Sequence, residues 1–296
     1  MTDFKGVYAN LPTPFDDGGD SLDLRRTDIL IDFLLERGIH GMGCLLSSGE
    51  YPYLNESERN EFTRRVVERV AGRVPVIVGV SALTTRDAKA LAREAEKAGA
   101  DAAMVMPIQY WPMKTHEVID HFKSISDATS LPLGIYDNPR LGAAPFTVDM
   151  YATLMSTANV RLSKDSSTVL MKIPHVREAC GNGISILHGN HMEMLPAYLL
   201  GAPGVCNAIA SVLPDICLEL YELSVIQRNW EEARRRFEEV LPVFRFFEEH
   251  SLARCVKEAS EMMGRPLGPQ RRPLTGLGTE DRQALASILR RFGYLD

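Results

Sequence analysis

The chain has 296 residues, 45% of them hydrophobic and 24% charged, with a formal net charge of −6. That balance describes a globular protein; it excludes a disordered chain and gives no basic footprint for nucleic acid. No apolar run approaches the roughly 20 residues that cross a bilayer, and Met1-Thr2-Asp3-Phe4-Lys5 lacks the basic-then-apolar build of a secretory signal.

Short apolar runs alternate with longer amphipathic stretches along the chain. A run over 6–14 is followed by helical periodicity over 24–37, a run over 39–47 by a helix over 57–70, and a run over 74–81 by a helix over 86–98. The alternation continues with a run at 102–107, a helix at 116–126, a run at 131–138, a helix at 148–155, and runs at 160–166, 184–190 and 204–209. Gly38, Gly72, Gly99, Gly181 and Gly201 stand where left-handed caps would end helices. Eight strand-like runs separated by helices predict a (β/α)8 barrel, an α/β fold of this chain length. Helical patterns over 214–228, 230–249, 252–263 and 279–292 follow with no strand between them. The expected organisation is a barrel core over 1–213, then a last barrel helix and a C-terminal helical extension of the same domain over 214–296. Five cysteines, at 44, 180, 206, 217 and 255, form no close pair, as in a reduced cytoplasmic protein without a disulfide framework or a CxxC zinc site.

Chemistry in such a barrel sits at the C-terminal ends of the strands. There the sixth run carries Lys164, whose amine, desolvated in a barrel mouth, would attack a carbonyl; the competing reading is an ion pair with Asp165. Tyr136, at the end of the fifth run, is placed to ferry protons, or else packs by its ring. Ser47 and Ser48, followed by Gly49, offer hydroxyls and close backbone N–H groups to a small carboxylate. His188 and His191 could hold a metal only with a third ligand that the sequence does not supply nearby, so they are read as pocket-lining histidines, with no metal or other cofactor. Glu50 reads as structural.

These segments together resemble the family of dihydrodipicolinate synthase and N-acetylneuraminate lyase. The resemblance runs from about Gly6 to the C-terminus and rests on Leu11-Pro12-Thr13-Pro14-Phe15, Ser47-Ser48-Gly49-Glu50, Tyr136-Asp137-Asn138-Pro139, the Lys164-Asp165 pair and Gly189. It implies a Schiff-base lyase without a metal, in which Lys164 forms an imine with pyruvate or a related 2-oxo acid, Tyr136 relays protons with Ser47, and the Ser47–Ser48 turn binds the carboxylate. It also implies a homo-oligomer, a tetramer or dimer, with no nucleic-acid or membrane partner. Gly189, Cys206, Asn207, Arg140 and Gln109 are the further expected substrate contacts.

The sequence departs from the lysine-pathway enzymes at Gln109, where those enzymes place a second relay tyrosine, and an amide cannot pass a proton as a phenol does. Arg140 lies four residues beyond Tyr136 instead of five; it serves either a second substrate carboxylate or the surface of a turn. The leading expectation is an aldolase-type lyase joining or separating pyruvate and an aldehyde. The same imine would also serve a dehydratase or deaminase of a hydroxylated 2-oxo acid, a genuine 4-hydroxy-tetrahydrodipicolinate synthase is a further alternative, and a non-catalytic binding barrel would form no imine at all.

Overall fold

In the computed structural model, which describes residues 3–141 and 145–296, eight parallel strands close into a barrel in sequence order. They are β1 (Gly6–Asn10), β2 (Gly41–Cys44), β3 (Val76–Gly79), β4 (Ala102–Val105), β5 (Leu133–Asp137), β6 (Val160–Asp165), β7 (Ser185–His188) and β8 (Gly204–Asn207). Pairing of β8 with β1, with Cys206 opposite Tyr8, closes the ring. Each strand is shorter than the apolar run that announced it. In the run 39–47 the reason is local: Leu45 takes a left-handed φ of 55°, which carries the chain out of the ladder after Cys44. Only glycine fits on β3 opposite that turn, because a Cβ at Gly79 would lie 2.1 Å from the Leu45 carbonyl oxygen.

Large and small residues alternate across the barrel interior. The buried Tyr8 ring occupies the space that a side chain on Gly41 would need, and Met104 fills the space beside Gly134. Around the strands run α1 (Leu24–Glu36), α2 (Glu56–Val70), α3 (Thr85–Ala98), α4 (Thr115–Ser126), α5 (Val148–Thr157), α6 (Lys172–Cys180), α7 (Met194–Leu199) and α8 (Pro214–Tyr221). Their ends follow local chemistry. Asn55 and Glu58 form a reciprocal capping box at the start of α2, and Thr84 and Thr147 accept from backbone N–H groups at the starts of α3 and α5. All five expected cap glycines have positive φ. The helix expected over 214–228 keeps α geometry only to Tyr221; residues Glu222–Ile226 are wound wider, with Gln227 N–H donating to the Glu222 carbonyl five residues back.

Three further helices, α9 (Trp230–Glu249), α10 (Leu252–Met262) and α11 (Thr279–Arg291), complete the chain. Val240, Val243, Phe244 and Phe247 of α9 and Cys255, Val256 and Ala259 of α10 are buried in the same core as the barrel. Ser251, at φ 70°, turns the chain between them, and this brings α10 alongside the Ser47–Gly49 turn. Among the described residues no helix is long and apolar enough to cross a membrane.

Candidate active site

The register of β5 and β6 sets Tyr136 opposite Lys164 and Asp137 opposite Asp165. Neighbouring residues of a strand face opposite sides, so one of these pairs points into the barrel and the other toward the helices. The carboxylates take the outer side. Asp137 pairs with Lys172 at 2.6 Å, while Asp165 accepts from Ser167 N–H at 2.9 Å. Burial pushes the Asp137 carboxyl up to about 6 despite the Lys172 ammonium. The pleat therefore separates Lys164 from Asp165, and the ion pair weighed from the sequence is not made.

Lys164, 3% exposed, instead holds its Nζ 4.1 Å from the centroid of the Tyr136 ring. The Tyr136 hydroxyl lies 2.6 Å from Ser47 Oγ and accepts from Asn138 Nδ2 at 3.1 Å. Burial alone would raise the phenol. The Lys164 charge and the hydrogen bonds from Ser47, Lys164 and Asn138 outweigh it and hold Tyr136 below its usual value. An amine, a phenol with a lowered pKa and a hydroxyl are thus lined up at the barrel mouth.

Ser47 is fixed by a tight turn. Gly49 N–H donates to the Leu46 carbonyl and Glu50 N–H to that of Ser47. Thr13 Oγ1 donates to the Gly49 carbonyl at 2.5 Å, and a Cβ on Gly49 would come within 3.1 Å of the Leu11 carbonyl oxygen. The Leu11-to-Phe15 segment thereby clamps the turn from β1. From the other side, Glu50, itself at a left-handed φ of 53°, forms a buried ion pair with Lys257 of α10 at 2.7 Å and accepts from Arg271 N–H at 3.0 Å. Phe15 underlies this staple, with Lys257 Nζ 4.3 Å and the Arg271 guanidinium 4.4 Å from its ring centroid.

The amine and the turn open on one cavity of about 290 Å³, whose wall includes Asn10, Ser48, Lys164 and Gly189. Ser48 Oγ is buried without a hydrogen-bond partner among the described residues. A Cβ at Gly189 would lie 2.0 Å from Ser166 Oγ and 3.1 Å from Lys164 Cε, so the missing side chain gives Lys164 its room. A neighbouring, more apolar cavity of about 620 Å³ shares Ser47, Leu141 and Ala253 with it.

The model of the dihydrodipicolinate synthetase family matches residues 3–292. The chain belongs to that family. It is 32% identical over 295 residues to a 4-hydroxy-tetrahydrodipicolinate synthase of Caldicellulosiruptor bescii, covering 99% of this chain and 98% of the relative. An uncharacterised DapA-like lyase of Halobacterium salinarum is 31% identical, over 98% of this chain and 94% of its own. The crystal structure of dihydrodipicolinate synthase from Aquifex aeolicus superimposes with a TM-score of 0.93 at 28% identity, covering 98% and 99% of the two chains. As a member of the family the protein is a class I, Schiff-base lyase.

Within this family member, the expected residues divide. Ser47, Ser48, Tyr136, Lys164, Gly189 and Arg140 all line the cavity. Cys206 lies beneath it: wholly buried, it donates from Sγ to Asn10 Oδ1 at 2.8 Å, and Asn10 is the group that reaches the cavity. Asn207 is not among the described lining residues: strand alternation turns it outward, where its Oδ1 accepts from Ala210 N–H at 3.0 Å. Gln109 is not among the described lining residues either; its Oε1 accepts from Met113 N–H at 2.8 Å within its own loop. The neighbouring Tyr110 and Trp111 are 83% and 77% exposed. His188 bonds Glu193 at 3.1 Å and His191 bonds the Phe244 carbonyl at 2.9 Å, and among the described residues no three His, Cys, Asp or Glu side chains converge on a metal position.

Sequence reading missed Asn10, Asn138, Ser166, Asn190, Glu248 and Ser251, which also line the cavity. Two of these carried a signal: Asn138 and Ser166 stand two residues beyond Tyr136 and Lys164, on the same side of their strands. Glu248 and Ser251 carried none, since they come from the α9–α10 region, whose approach to the mouth is a matter of tertiary packing.

Proposed function

We propose that the protein binds a small 2-oxo acid, pyruvate or a close relative, as an imine on Lys164 and makes or cleaves the carbon–carbon bond between it and an aldehyde. The observation that carries this reading is the buried Lys164 amine against Tyr136, whose hydroxyl lies 2.6 Å from Ser47 Oγ. The substrate carboxylate fits the Ser47–Ser48 turn, where the turn's own bonds use the N–H groups of Gly49 and Glu50 and leave those of the two serines. The Lys164 amine attacks the keto carbon, Tyr136 delivers the proton that lets hydroxide leave as water, and the resulting iminium is the electron sink. Loss of a proton from the adjacent carbon gives an enamine, which adds to the aldehyde carbon while the aldehyde oxygen takes up a proton. Water then hydrolyses the iminium, returning the amine and the product. Cleavage runs these steps in reverse.

The exposed Tyr110–Trp111 edge-to-face pair, together with Leu83 at 67% exposure, supports the further proposal that the chain works as a homo-oligomer. Incubation with pyruvate and borohydride tests the central claim: a stable mass should appear on Lys164 by peptide mapping. Label on another lysine, or none, refutes it.

A further inference from the structure

Beside Lys164, Tyr136 and the Ser47–Ser48 turn, the cavity is walled by Arg140, Asn190, His191 and Glu248. Once Lys164 is an iminium, the substrate's own carboxylate balances its charge. What the remaining wall carries then decides what the far end of the substrate carries.

Arg140 is the other cation among the described residues of this cavity, and it is already engaged: its Nη1 donates to Glu248 Oε1 at 2.5 Å. Glu248 reaches the mouth from the last turn of α9, outside the barrel proper. With side chains 55% and 31% exposed, such a pair contributes little to stability. Its larger consequence is local charge. A second carboxylate on the substrate would have to displace Glu248 from Arg140 or lie beside it. His191 supplies no replacement cation. Its Nε2–H donates to the Phe244 carbonyl at 2.9 Å, so Nδ1 carries a lone pair, and burial keeps the ring neutral by holding it below the usual imidazole value. A lone pair accepts from a hydroxyl but repels a carboxylate. Asn190 uses its Oδ1 on Met192 N–H at 3.0 Å, which leaves its amide protons to donate.

We infer that Glu248 is a specificity-determining residue: by occupying Arg140 it makes the outer end of the cavity a site for a hydroxylated, uncharged substrate tail instead of a second carboxylate. This rests on the imine on Lys164 and adds the substrate class to it.

The test uses two 2-oxo acids of equal length, 2-oxoadipate and 6-hydroxy-2-oxohexanoate, with pyruvate as reference. Each condenses with the Lys164 amine with loss of water, and borohydride delivers hydride to the imine carbon to leave a stable secondary amine. Half-saturation of this trapping is read by mass and expressed relative to pyruvate on the same protein, so it is independent of every step after imine formation. The hydroxylated acid should be preferred by the unaltered protein. Glu248→Gln should free Arg140 and improve 2-oxoadipate on the order of tenfold, whereas Arg140→Gln should leave Glu248 unpaired and worsen it by a similar factor. Preference for 2-oxoadipate in the unaltered protein, trapping of neither long acid, or shifts of the same sign in the two variants would overturn the inference while leaving the imine intact. Absence of pyruvate label on Lys164 would instead overturn the imine reading, and the inference with it.

Discussion

Replacing Lys257 by Met should destabilise the protein far more than its distance from the chemistry implies. Lys257 and Glu50 face each other at 2.7 Å with side chains 3% and 1% exposed. Burial has pushed the ammonium down to about 8 against the opposing pull of Glu50. Met fills similar volume but leaves the Glu50 carboxylate buried with the Arg271 N–H as its remaining hydrogen bond. Removing one partner of a buried pair costs about 3–5 kcal/mol. At about 2.1 cal/mol/K per residue, unfolding of this chain carries an entropy near 0.6 kcal/mol/K, so Tm should fall by about 5–8 °C. Calorimetry at neutral pH on Lys257→Met, Glu50→Gln and the double variant completes the cycle, and the double variant should lose clearly less than the sum of the two singles. Because the pair holds the Ser47 turn from the α10 side, kcat should fall together with Tm. A Lys257→Met protein melting within a degree of the parent, or strictly additive losses, would refute the reasoning.

In the proposed mechanism Tyr136→Phe removes the proton relay and should slow turnover by about two to four orders of magnitude; unchanged turnover would reduce Tyr136 to a packing residue. Gly189→Ala places a Cβ 3.1 Å from Lys164 Cε and should slow borohydride trapping with pyruvate by about tenfold to a hundredfold, with circular dichroism unaltered. Trapping at the parental rate would show that Lys164 does not need that space. His40, His121 and His191 are all held below the usual imidazole value of 6.5 by burial, so the folded chain binds fewer protons there than the unfolded one. Stability should be full above pH 6.5 and fall progressively below it as the unfolded state takes up protons. A Tm flat between pH 7.5 and 5, or unaltered in its slope by His121→Gln, would contradict this.

The periodicity of apolar residues was enough to determine eight strands, the helices between them and the barrel, because each strand buries an apolar run and each cap is set by residues next to it. Lys164 and Tyr136 were legible for a related reason: a lysine and a tyrosine at strand ends have few places to point in a barrel. The partner of Lys164 was not: the pleat turns it away from Asp165, and the register of β5 against β6 then sets Tyr136 opposite it. Asn207 stands off the described cavity wall because one residue of alternation separates it from Cys206. Glu50 read as structural from its sequence, but its partner Lys257 lies 207 positions away and only packing of α10 against the turn brings them together. The α9 side of the cavity wall belongs to tertiary structure. Glu248 meets Arg140 across 108 residues because Phe244 and Phe247 bury α9 against the barrel, and no local pattern in either segment records that meeting.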